Sequence, residues 1–92
     1  MNQLKSLADI KRRLVIGAEV TLFKHDWYPD GILVGVPRVV EQAQSNGVKF
    51  EGGSWSFYPK AREVKFEGGL KYSWPLDDKG ARMYYEITKE VE

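Results

Sequence analysis

The chain predicts a mainly β domain opened by one short helix. Two patterns carry that reading. Up to Gly17 the apolar residues fall at helical spacing, and after it strand-like runs alternate with Gly, Pro, Asn and Asp clusters. The 92 residues, 42% of them hydrophobic, are enough for a single core and no second domain.

The helix is expected over residues 6–16. Ser6 and Asp9 stand at capping-box spacing, with Asp in place of the usual Glu or Gln. Leu7, Ile10 and Leu14 share one side, while Lys11, Arg12 and Arg13 fall on the other. Gly17 suits a left-handed helix end, and basic residues in the last turn suit the negative end of the dipole. So short a helix is held only by packing. Its apolar stripe either seals one end of the β structure or docks a partner.

The strands follow in order. Glu19–His25 alternates, with Val20 and Leu22 on one face and Glu19, Thr21 and Phe23 on the other. Asp26–Gly31 is a turn cluster, and 32–36 an irregular segment broken by Gly35 and closed by Pro37. Arg38–Gln44 and Val48–Glu51 form a hairpin about Ser45-Asn46-Gly47, where Asn-Gly tolerates positive φ. Ser54–Tyr58 is the next strand, Pro59-Lys60-Ala61 a single helical turn, and Arg62–Phe66 is extended. A C-terminal strand pair, Leu70–Trp74 and Ala81–Thr88, lies within 70–89 and is joined by the Pro75–Gly80 loop.

Val48–Gly53 repeats as Val64–Gly69, each copy followed by Ser-Trp within a few residues. Two copies are too few for a repeat architecture, so the echo reads as two similar strand–turn units. A strand, a long loop, three strands on tight turns, a helical turn and a closing strand is the connectivity of an SH3-like barrel. Residues 18–66 fit that outline. The expectation is a small, partly open SH3-like barrel with an N-terminal helix and a C-terminal β-hairpin extension, all in one domain spanning 1–92. Curling such a short sheet removes exposed edges.

The run Ser6–Leu14 followed by Gly17 resembles the opening of small uncharacterised bacteriophage and prophage proteins. Gln44-Ser45-Asn46-Gly47, Ser54-Trp55 and Tyr58–Val64 are similar to their middle section. The resemblance spans about two-thirds of the chain and implies a phage-borne origin. It implies no catalytic residues.

Catalytic chemistry finds few footholds. The chain has no Cys and a single histidine, His25, so thiolate chemistry and a two-histidine metal site are excluded. A triad on His25 would have to use Asp26 or Asp30, its near neighbours in sequence. Asp26 and Asp30 flank Trp27-Tyr28-Pro29, but a chain this small offers little concavity for a sugar. Asp77-Asp78 reads as turn composition. No cofactor, metal or catalytic residue is expected, and the chain is read as non-enzymatic and cytoplasmic, with no membrane segment.

Binding has more support. Aromatic residues make up 13% of the chain, and Trp27-Tyr28, Phe57-Tyr58 and Tyr84-Tyr85 are adjacent pairs. Neighbours in a strand point to opposite faces, so one ring of each pair should lie away from the core. Trp27, Tyr28, Tyr84 and Tyr85 are the candidate binding residues for a protein partner or a homodimer, since near-zero net charge suits apolar association. The alternative is single-stranded nucleic acid, held by Lys11, Arg12 and Arg13 with the same rings. Residues 1–25 carry five basic side chains against two acidic ones.

Overall fold

The structure is a computed structural model that describes residues 3–26, 34–53, 55–75 and 80–91. It is mainly β. One helix, α1 (Leu7–Arg13), precedes strands β1 (Glu19–His25), β2 (Pro37–Gln44), β3 (Gly47–Phe50) and β4 (Trp55–Phe57). A single 3₁₀ turn at Ala61–Glu63 leads into β5 (Lys65–Gly68), β6 (Lys71–Pro75) and β7 (Arg82–Lys89). All seven strands form one antiparallel sheet in the order β4-β3-β2-β1-β7-β6-β5. Among the described residues β4 and β5 do not pair, so the sheet is open.

It is nevertheless curled. Tyr58 follows β4 directly, and β4 and β6 stand five places apart in the strand order. In a flat sheet that separation is roughly 24 Å, yet the Tyr58 and Trp74 ring centroids are 6.1 Å apart, edge to face. The concave face holds the core. Val20, Val40, Val48, Phe50, Tyr72, Trp74 and Ile87 join Leu4, Ile10, Leu14 and Ala18 in one cluster.

The helix is shorter than the apolar pattern predicts. Ser6 Oγ accepts the Asp9 N–H at 3.3 Å, as expected of an N-cap. Asp9 Oδ2 reaches back one residue further, to the Lys5 N–H at 2.9 Å. The last helical residue is Arg13, and a turn closed by the Ala18 N–H on Val15 O carries the chain into β1. Gly17 does take a positive φ of 96°, but in that turn rather than at the helix end. Ile10 and Leu14 are fully buried and Leu7 packs beside them, so the stripe seals the core and is not a free docking arm.

One placement differs from the SH3-like outline. The strand beside β1 is β7, paired along nearly the whole of β1, and β5 lies at the far edge. The C-terminal pair is therefore central to the sheet and not an extension. The four residues of β5 are all exposed and include Lys65 and Glu67, whereas eight-residue β7 contributes Ile87 and Tyr85 to the core face. The strand with more apolar surface takes the position covered on both edges.

The β2–β3 hairpin is where Ser45-Asn46-Gly47 predicts it, for a different reason. Neither Asn46 nor Gly47 has a positive φ. A Cβ on Gly47 would instead collide with the Ser56 carbonyl oxygen and stand 3.0 Å from Phe57 Cα. Glycine is required there by the close approach of β4.

Candidate functional site

The two faces of the sheet separate the candidate rings. Tyr85 lies on the concave side, stacked on Tyr72 at 5.4 Å and 5.2 Å from Trp74. Its hydroxyl donates to Met83 Sδ at 3.4 Å. Burial raises its pKa, as it does for fully buried Tyr72, and burial pushes the neighbouring Tyr58 up to about 12. Tyr85 thus packs, partly buried, against the core rings.

Tyr84 lies on the convex side. The β1–β7 register slips between Leu22 and Lys24, so that Leu22 faces Tyr85 and Lys24 faces Tyr84. This bulge brings Phe23 and Lys24 to the same ring. Phe23 lies 6.2 Å from Tyr84 between centroids, and Lys24 Nζ stands 4.8 Å above the Tyr84 ring. Lys71 Nζ, from β6, is 5.4 Å from the Phe23 ring. The Tyr84 hydroxyl donates to Asp26 Oδ2 at 3.0 Å, and that hydrogen bond is the main reason its pKa is raised. An aromatic pair flanked by two ammonium groups and a carboxylate is therefore built on the uncovered face.

A buried polar clamp adjoins it. Ser73 is completely buried, and its Oγ donates to Glu67 Oε2 at 3.3 Å while accepting from Arg82 Nε at 3.0 Å. Arg82 Nη2 also donates to the carbonyls of Glu63 (2.7 Å) and Ser73 (3.0 Å). These bonds hold β7, β6 and the 3₁₀ turn together and leave Arg82 no free fork for a ligand. Sequence reasoning missed this clamp because no local motif announces it.

Of the adjacent aromatic pairs, two resolve as strand alternation requires. Tyr84 lies outward and Tyr85 inward; Phe57 is 65% exposed while Tyr58 packs against Trp74. Trp27 and Tyr28 lie outside the described residues, as do Asp30, Asp77 and Asp78. His25, opposite Met83, has a buried Nδ1 with no hydrogen-bond partner among the described residues.

The three basic residues of α1 do not form one surface. Arg12 pairs with Asp9, and Arg13 Nε contacts Glu90 Oε1 at 2.9 Å. Arg13 Nη1 also donates to the Asp9 carbonyl at 3.1 Å, and Lys11 Nζ sits 5.2 Å from the Tyr58 ring. The Lys5 N–H, with the two arginines, keeps the Asp9 carboxyl below its ordinary range. Consecutive helical residues are splayed by about 100°, and here each has found its own internal partner.

Among the described residues no group of His, Asp or Glu is arranged to hold a metal ion, and no helix is long and apolar enough to cross a membrane. Comparison with protein-family models, with curated proteins and with solved structures gives no match to this chain.

Proposed function

We propose that the chain is a non-enzymatic, cytoplasmic interaction module, phage- or prophage-borne, whose curled sheet is a variant of the partly open SH3-like barrel. It acts by contacting a protein partner or a second copy of itself. One contrast supports this reading over the nucleic-acid alternative. Arg12 and Arg13 are paired with Asp9 and Glu90 within the chain, whereas Phe57 and Ile16 both stand 65% exposed. Apolar surface left open suits a protein contact, and cations already paired release few counterions from a phosphate backbone.

A second reading rests on different residues from those the sequence singles out. Lys24 and Lys71 beside the Tyr84 and Phe23 rings make a small stacking platform of the kind that holds single-stranded bases. Fluorescence anisotropy with a labelled oligothymidylate separates the two. The interaction module shows no binding at micromolar protein in low salt. Binding that falls steeply with added salt and is lost in Lys24→Ala/Lys71→Ala would overturn it.

A further inference from the structure

The free edge of β4 offers a more specific partner. In the β3–β4 ladder the Tyr58 N–H donates to Asn46 O at 2.8 Å, and the register runs Gly47↔Phe57, Val48↔Ser56, Lys49↔Trp55. Hydrogen-bonded and non-hydrogen-bonded pairs alternate along an antiparallel ladder. Asn46↔Tyr58 is a bonded pair, so Val48↔Ser56 is bonded as well, and Gly47↔Phe57 and Lys49↔Trp55 are not. The close approach of Gly47 to Phe57 Cα agrees with that parity. Ser56 thus turns its backbone groups toward β3, while Trp55 and Phe57 turn theirs toward the open edge.

At three residues this edge is short, but no charge or bulge guards it. Trp55-Ser56-Phe57 has no charge, no proline and no register shift. The opposite edge, β5, has Lys65, Glu67 and a shift between Phe66 and Gly68. Charges and bulges are what keep sheet edges from pairing. Both edge strands are short, but only β5 is also charged and bulged.

We propose that β4 pairs antiparallel with β4 of a second copy, about a two-fold axis through Ser56, and joins two sheets into one. This rests on the interaction-module reading and names its partner. The parity fits without adjustment. Centred on Ser56, the pairing sets Trp55 against Phe57 of the second copy in a bonded pair and Phe57 against its Trp55 in another. Every outward N–H and C=O of Trp55 and Phe57 is then satisfied. The same symmetry sets each Trp ring beside a Phe ring on one face, an aromatic cross-strand pair, which covers the exposed Phe57 side chain. A two-fold contact of this kind closes on itself and stops at a dimer.

The absence of cysteine makes a direct test available. Across the axis Ser56 faces Ser56 in a non-bonded pair, with Cα atoms about 4.5 Å apart, inside the roughly 4.4–6.8 Å range that a disulfide spans. Sedimentation equilibrium of the full chain up to millimolar concentration should give a monomer–dimer equilibrium, lost in Phe57→Lys. Under mild oxidation Ser56→Cys should become a covalent dimer nearly completely, and Lys65→Cys on the other edge should not. Circular dichroism unchanged in Phe57→Lys shows that loss of the dimer is not loss of the fold. A strict monomer at all concentrations overturns the proposal. A dimer that survives Phe57→Lys and does not crosslink through Ser56→Cys also overturns it but leaves the interaction-module reading standing. That reading falls separately, through oligonucleotide binding.

Discussion

Val48–Gly53 and Val64–Gly69 are the same six residues, Val-Lys-Phe-Glu-Gly-Gly, and each runs from a strand into a turn. There the likeness ends. In the first copy residues 51–54 join β3 to β4, and of the glycine pair only Gly52 takes a positive φ, 73°. In the second only Gly69 and Leu70 join β5 to β6, and Gly68 and Gly69 are both positive, at 101° and 56°. β3 lies between β2 and β4 and turns Val48 and Phe50 into the core; β5 lies at the edge and leaves Phe66 37% exposed. The hexapeptide encodes a strand that must turn. How deep the strand lies and how tightly it turns are set by its neighbours and by the residues that follow, Ser54-Trp55 in one case and Leu70-Lys71 in the other.

Truncating the shared phenylalanine gives the largest contrast. Phe50→Ala removes a 9%-exposed ring from the core and should cost about 3–5 kcal/mol. Phe66→Ala, at the rim, should cost about 1 kcal/mol or less. Urea denaturation of the two variants decides the matter. Equal losses would mean that β5 is not an edge strand.

The residue before each copy should come next. Gly47→Ala forces a methyl group into the β4 backbone and should cost about 3 kcal/mol, the upper end for overpacking. Its counterpart, Glu63, accepts the Lys60 N–H at 2.9 Å, so Glu63→Ala should cost about 1 kcal/mol, as for other caps. Thermal melts at neutral pH suffice to compare them. A Gly47→Ala protein as stable as the wild type would show that β4 can shift, and would weaken the edge geometry on which dimer pairing depends.

The shared glutamates differ by less. Glu67 Oε2 accepts the hydroxyl of fully buried Ser73, whereas Glu51 is exposed. Glu67→Ala should therefore cost about 1 kcal/mol, and Glu51→Ala should stay within about 0.5 kcal/mol of wild type. Denaturation of Glu67→Ala in a Ser73→Ala background checks the cause, because most of the loss should disappear once its partner is gone.

What the sequence makes legible divides along the same line between local and distant. The alternation of Val20 and Leu22 places them in the core, as Tyr84 and Tyr85 are placed on opposite faces, because period two is a local property of a strand. Which of the two tyrosines lies outward is not local, since it depends on the bulge at Phe23 that sets the β1–β7 register. The position of β7 beside β1 is equally illegible, because it pairs residues 58 to 70 apart in the chain. The Asn46-Gly47 hairpin shows a mixed case: the dipeptide marks the turn, but the need for Gly47 comes from β4, a strand formed later in the chain. The Arg82 clamp likewise draws on three elements with no motif in common.

The shared lysines give the smallest difference, and a double-mutant cycle is needed to see it. On β3, Lys49 Nζ lies 3.6 Å from Glu41 Oε2 across to β2, at the point where the register slips between Val40 and Gln42. That slip brings Glu41 within reach of a lysine whose direct register partner is Gln42. Both side chains are about one-third exposed or more, so water screens the pair and its worth is about 0.2–0.5 kcal/mol, the usual range for such contacts. Lys65 on β5 faces Ser73 in register and has no ion pair among the described residues. Lys49→Ala with Glu41→Ala should yield a coupling energy of that size at low salt, shrinking toward zero in about 1 M salt, where the Debye length is about 3 Å. Lys65→Ala should leave stability within error at both salt concentrations. A coupling that persisted undiminished in high salt would place Lys49 and Glu41 in a less solvated setting, and would make the covered flank of β3 tighter than its exposed side chains indicate.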